Sequence, residues 1–78
     1  MDIKQIIVEK TIVYIFTENP EQDIVKIQKA YQEEEKFDFP LGYGMPLLTS
    51  YSFLGNKYRC ISLWFDNEDV PDFFYDYK

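Results

Sequence analysis

Asp72 and Asp76 stand four residues apart near the end of the chain. That spacing sets two carboxylates on one face of a helix, where a pair could share acid–base work. Nothing in the neighbouring sequence encloses them, so a solvated pair is expected instead. Asp66-Asn67-Glu68-Asp69 resembles the opening of a calcium loop. Pro71 stands where such a loop needs glycine and Val70 where it needs an oxygen ligand, so the match fails. Gly42 and Gly44 lack the third glycine of a dinucleotide turn and the Gly-Lys-Ser/Thr of a phosphate loop. Cys60 is the single cysteine, and the chain has no histidine. The commonest general base and metal ligand is therefore missing, and the thiol has no imidazole to activate it. These absences predict a protein that is not an enzyme and uses no cofactor and no metal.

What remains is the chemistry of contact. Aromatic residues are 19% of the chain, and 13 of the 15 lie at or after Tyr31. Fourteen acids against eight bases give a net charge of −6. Residues 66–78 hold Asp66, Glu68, Asp69, Asp72 and Asp76 against Lys78 alone. Acid and aromatic groups mixed in this way suit a basic surface, with charge speeding encounter and rings supplying affinity. The candidate partner-binding residues are Tyr43, Asp69, Asp72, Phe73, Tyr75, Asp76 and Tyr77, and the expected partner is a basic protein. The alternative is a structural homodimer or small assembly joined through an aromatic sheet face. Direct nucleic-acid binding is not expected, because only Lys57 and Arg59 are basic on the hairpin described next.

The stretch that must position these groups is Leu47 to Phe65. Two β-prone runs flank Gly55-Asn56, a pair that accepts positive φ and suits a two-residue hairpin loop. With that loop, Phe53 faces Tyr58, Tyr51 faces Cys60 and Leu47 faces Trp64. One face carries Leu47, Tyr51, Phe53, Tyr58, Cys60 and Trp64. The other carries Leu48, Ser50, Ser52, Arg59, Ile61, Leu63 and Phe65. Both faces hold large apolar groups, so both want cover.

Upstream, Ile12 to Thr17 is β-branched and reads as a strand. Ile3 to Glu9 reads as a strand too, although Ile3, Ile6 and Ile7 also sit at helical spacing. A turn near Glu9-Lys10 would make them a hairpin; it lacks glycine and asparagine, so one long bent strand is the alternative. Asn19-Pro20 starts a helix, with Asn19 as cap and Glu21 and Asp23 in the first turn. The helix is expected to run from Pro20 to Glu34 and to bury Ile24, Ile27 and Tyr31. Glu33, Glu34 and Glu35 then cluster where the helix dipole disfavours acids. Residues 37–46 contain two prolines and two glycines, which exclude regular structure. Phe37, Phe39, Leu41, Tyr43 and Met45 make this loop unusually apolar, and it is expected to fold over an open sheet face, with contact to a partner as the alternative. Asp69, Pro71 and Asp72 suit the start of a short terminal helix, with Phe73, Phe74 and Tyr77 near one side.

The predicted fold is a single α+β domain over residues 1–78, in the order β-β-α-β-β-short α. A three- to four-stranded, mostly antiparallel sheet carries one main helix. The longest apolar run, Ile12 to Phe16, is too short to cross a bilayer, so no membrane contact and a cytoplasmic location are expected. In length, acidity and lack of motifs, the chain resembles the small proteins encoded by phages and other mobile elements. Many of those act as inhibitors, immunity factors or antitoxins. The likeness covers profile only and transfers no residue roles.

Overall fold

The computed structural model describes residues 1–66 and 69–77. Asn67, Glu68 and Lys78 lie outside the described residues, and with them the middle of the Asp66–Asp69 stretch. The elements are β1 (Ile3–Glu9), β2 (Ile12–Thr17), α1 (Pro20–Gln32), β3 (Leu47–Phe53), β4 (Asn56–Trp64) and α2 (Asp72–Asp76). This is the α+β order that the sequence predicts. The four strands form one antiparallel sheet in the order β1-β2-β4-β3. β1 and β2 join through a two-residue turn in which Lys10 takes a positive φ of 55°.

Three local expectations are corrected. The loop of the second hairpin is Leu54-Gly55, with φ of 50° and 82°, and Asn56 belongs to β4. Phe53 therefore faces Asn56 and Tyr51 faces Tyr58, a shift of two residues from the expected register. A shift of two keeps every side chain on its expected face. Its gain lies in the pairing. Leu48 now lies opposite Ile61, while Ser50 and Ser52 lie opposite Arg59 and Lys57. The expected register would have set Ser50 against the apolar Ile61, a poorer cross-strand match.

Second, Asn19 makes no side-chain cap; its carbonyl accepts the N–H groups of Gln22 and Asp23 instead. The helix also ends two residues early. Glu34 enters the left-handed region at φ 54°, Glu34 N–H donates to Tyr31 and Glu35 N–H to Ala30. This double closure usually falls on glycine, and Glu34 supplies it at a conformational cost. Third, Pro71, not Asp69, stands at the N-cap of α2, and no side chain among the described residues caps it.

The core lies on one side of the sheet. Val13 and Ile15 of β2 and Ile61 and Leu63 of β4 point towards α1 and meet Ile24 and Ile27, which are buried as expected. Tyr31 is only half-buried, and its hydroxyl donates to the Tyr43 carbonyl. Phe39 of the loop, Phe65, Val70 and Phe74 of α2 extend the same cluster, with Phe37 and Leu41 packed against it. The aromatic loop therefore closes the side that α1 already covers. Covering the second face was the other course open to it, and the structure does not take it.

Two features fix the loop there. Tyr43 N–H donates to the Trp64 carbonyl at 2.8 Å, continuing the β3 side of β4 past the end of β3. Gly42 makes that approach possible: it has φ 87°, and a Cβ on it would lie 2.3 Å from the Trp64 carbonyl oxygen.

Candidate functional site

The alternation of β2 and β4 that sends Val13, Ile15, Ile61 and Leu63 inward sends their neighbours to the opposite face. Register places Ile7 beside Tyr14, Gln5 beside Phe16, Ile12 beside Trp64 and Tyr51 beside Tyr58 on that face. With Leu47 and Phe53, it presents nine large apolar side chains, six of them aromatic. Among the described residues, the segments that build the core, α1, Phe37, Phe39, Leu41 and Phe74 of α2, pack on the other side. Phe53, Tyr58 and Trp64 remain 55%, 46% and 44% exposed.

The face is ordered by contacts within its own layer. Tyr51 sits at its centre, 5.0 Å from the Tyr14 ring and 5.8 Å, edge-on, from Phe16. Such tilted and edge-to-face pairs each add about 0.5–1.5 kcal/mol beyond area burial. The Tyr51 hydroxyl donates to the Glu9 carboxylate at 2.7 Å. That bond raises the Tyr51 pKa above the usual tyrosine value, and burial raises that of Tyr14. Cys60 is fully buried on β4 within this layer, and burial pushes its thiol up to about 11. A thiol so protonated is a small hydrophobe here and a poor nucleophile.

Beside the ring cluster lies a shallow depression of ≈ 510 Å³, lined by Lys4, Gln5, Ile7, Phe16, Tyr51, Phe53 and Tyr58. Lys4 is held at its rim by Glu18, N···O 2.7 Å, which raises the lysine pKa and lowers that of the glutamate. Charge on this face is therefore sparse and internally paired.

The residues expected to bind a partner fall elsewhere, and only some meet. Tyr43 is 64% exposed, and its hydroxyl donates to Asp69 at 3.1 Å, which raises the tyrosine pKa. Asp72, Tyr75 and Asp76 are exposed on α2. Phe73 lies against Phe39 and Phe74 while staying partly exposed. Tyr77 is half-buried, and its hydroxyl donates to the Ile3 carbonyl, which ties the tail to β1. Phe74 anchors the segment in the core. The tail thus closes the core with Phe74 and turns Asp72, Asp76 and Tyr75 to water.

The open-face residues missing from the expected set are Tyr14 and Phe16 above all. Their signal was present in β2, where Tyr14 and Phe16 alternate with Val13 and Ile15. The sequence places Tyr51, Phe53, Tyr58 and Trp64 on one face, and makes that face a contact surface only in the homodimer alternative. Among the described residues, no helix is long and apolar enough to cross a membrane, and no group of three or more acidic or cysteine side chains is placed to hold a metal ion. Compared with known proteins, the chain matches no family model, no curated protein and no solved structure. Its class is thus defined by architecture alone: a ββαββα sheet protein, closed on one face and aromatic and open on the other.

Proposed function

We propose that the protein is a non-catalytic interaction module that binds a basic protein, as inhibitors, immunity factors and antitoxins do. The observation that supports this most is the open aromatic face around Tyr51. Tyrosine, tryptophan and phenylalanine are the residues that carry affinity in protein interfaces, especially when clustered. The net charge of −6 would draw a basic partner in. Lysine or arginine side chains of that partner would then lie over the rings, each such contact adding about 0.5–2 kcal/mol. Lys4, the basic residue at the depression, is already engaged by Glu18 and offers little to a phosphate backbone. The buried, protonated Cys60 is compatible with a reducing cytoplasm as the setting.

The test is affinity capture from the native cell extract, repeated with Tyr58→Ser/Trp64→Ser. The double variant should fold normally and lose the wild-type partner, and added salt should weaken wild-type binding. Retention of the partner by the folded double variant would overturn the face assignment. A chain that captures only copies of itself would replace this reading with the homodimer. Changing Asp69, Asp72 and Asp76 to Asn tests the tail separately. If the tail steers encounter, association slows and its salt dependence flattens; wild-type kinetics at low salt would leave the tail without that role.

A further inference from the structure

The two edges of the sheet are built differently. β1 carries Lys4, Gln5 and Glu9, has a register shift between Ile3 and Gln5, and is tied at Ile3 by the Tyr77 hydroxyl. Charges, irregularity and a covering segment are the devices that stop an edge strand from pairing further. Among the described residues, β3 has none of them. Its sequence, Leu-Leu-Thr-Ser-Tyr-Ser-Phe, is uncharged, free of proline and paired with β4 in unbroken register from Leu47 to Phe53. It also ends the sheet.

Which of its main-chain groups are free follows from the hairpin. Across a two-residue loop, the flanking pair Phe53–Asn56 exchanges both hydrogen bonds, and the pattern alternates from there. Leu47, Thr49, Tyr51 and Phe53 therefore turn their N–H and C=O groups to β4. Leu48, Ser50 and Ser52 turn theirs outward. The end of β4 keeps the same alternation: the Trp64 carbonyl accepts Tyr43 N–H on the β3 side, and Phe65 N–H donates to Thr11 on the β2 side.

We infer that β3 pairs antiparallel with β3 of a second copy of this chain, about a two-fold axis at Ser50, to make one eight-stranded sheet. The occupant is fixed by self-complementarity. Ser50 meets Ser50 of the second copy, and Leu48 meets its Ser52, so the three outward residues satisfy one another in about six main-chain hydrogen bonds. On the aromatic face the same register sets Phe53 beside Leu47 of the second copy and Tyr51 beside its Thr49. Phe53 and Leu47 are 55% and 49% exposed in the single chain, and they would cover each other. An uncharged strand lets two chains of −6 approach, whereas a charged one would not. At about one hydrogen bond per 100–200 Å², the interface buries roughly 600–1,200 Å², which makes a reversible, concentration-dependent dimer. The two-fold axis stands perpendicular to the sheet, so the two open faces become one continuous aromatic surface.

The test is sedimentation of the full chain from micromolar to millimolar concentration, with hydrogen exchange read residue by residue. The amides of Leu48, Ser50 and Ser52 should gain protection as concentration rises, while those facing β4 stay constant. Ser50→Pro removes the central outward donor and spares the β3–β4 ladder, a change edge strands tolerate. Ser50→Lys sets two like charges on the axis and keeps the backbone intact should the proline variant fail to fold. Either should weaken dimerisation at least about tenfold, and Tyr58→Ser should not. Added salt should tighten the dimer, the opposite of its effect on a basic partner, so the two readings fail separately. A wild-type chain that stays monomeric at millimolar concentration, or a dimer that survives Ser50→Lys, overturns the inference. So does a dimer lost with Tyr58→Ser instead.

Discussion

On the α1 side of the sheet, Val13, Ile15, Ile61 and Leu63 have no exposed surface, whereas on its other face Phe53, Tyr58 and Trp64 keep about half of theirs. Both faces are apolar, so hydrophobicity alone does not distinguish them. The difference is cover. α1, the aromatic loop and α2 all converge on one side, and their convergence gives a chain of 78 residues one well-packed core. Small domains have little apolar surface to spare, and dividing the cover between two faces would leave both cores thin. The open face is held instead by tilted ring pairs and the Tyr51–Glu9 bond, which order it without burying it.

The comparison breaks most visibly by mutation. Ile27→Ala, in the closed core, should cost on the order of 2–4 kcal/mol, a large share of the stability of so small a protein. Tyr58→Ser, on the open face, should cost within about 0.5–1 kcal/mol. Denaturant unfolding at constant m-value checks both. Equal losses would mean that the open face is a second core.

A smaller effect sharpens the reason the loop takes the closed side. Gly42→Ala forces a left-handed alanine and drives its Cβ into the Trp64 carbonyl, and it should cost roughly 2–3 kcal/mol. Hydrogen exchange should show the Tyr43 amide losing protection with it. A variant of wild-type stability would show that the Tyr43–Trp64 bond does not hold the loop.

The smallest effect is on the open face. Tyr51 has a folded pKa above its ordinary value near 10, because its proton is held by Glu9. Its contribution to stability is complete below the ordinary pKa and is lost as pH rises through the folded one. Glu9→Gln removes the carboxylate, so one tyrosine should ionise earlier in a tyrosinate absorbance titration. An unchanged curve would remove Glu9 as the group that orders Tyr51.

Local chemistry in the sequence determined the element order, the helix start at Pro20 and the face on which each hairpin side chain lies. Alternation and turn propensity are properties of neighbouring residues, and they survive even an error in register. The observed Leu54-Gly55 loop lies one residue before the expected Gly55-Asn56, which slips the register by two, yet the strand residues keep their faces, because the strand period is two. What only the tertiary structure decided was pairing and cover. The register followed from matching Leu48 to Ile61, a contact between strands. The side taken by the aromatic loop followed from Gly42 meeting the Trp64 carbonyl, two groups 22 positions apart in sequence. The meeting of Tyr43 with Asp69, and the gathering of Tyr14, Phe16 and Tyr51 into one half-buried layer on the open face, belong to the same class. An apolar stripe in a sequence states that a face can be buried; which face stays open depends on where the remaining segments find their best packing, and that is settled only among all of them together.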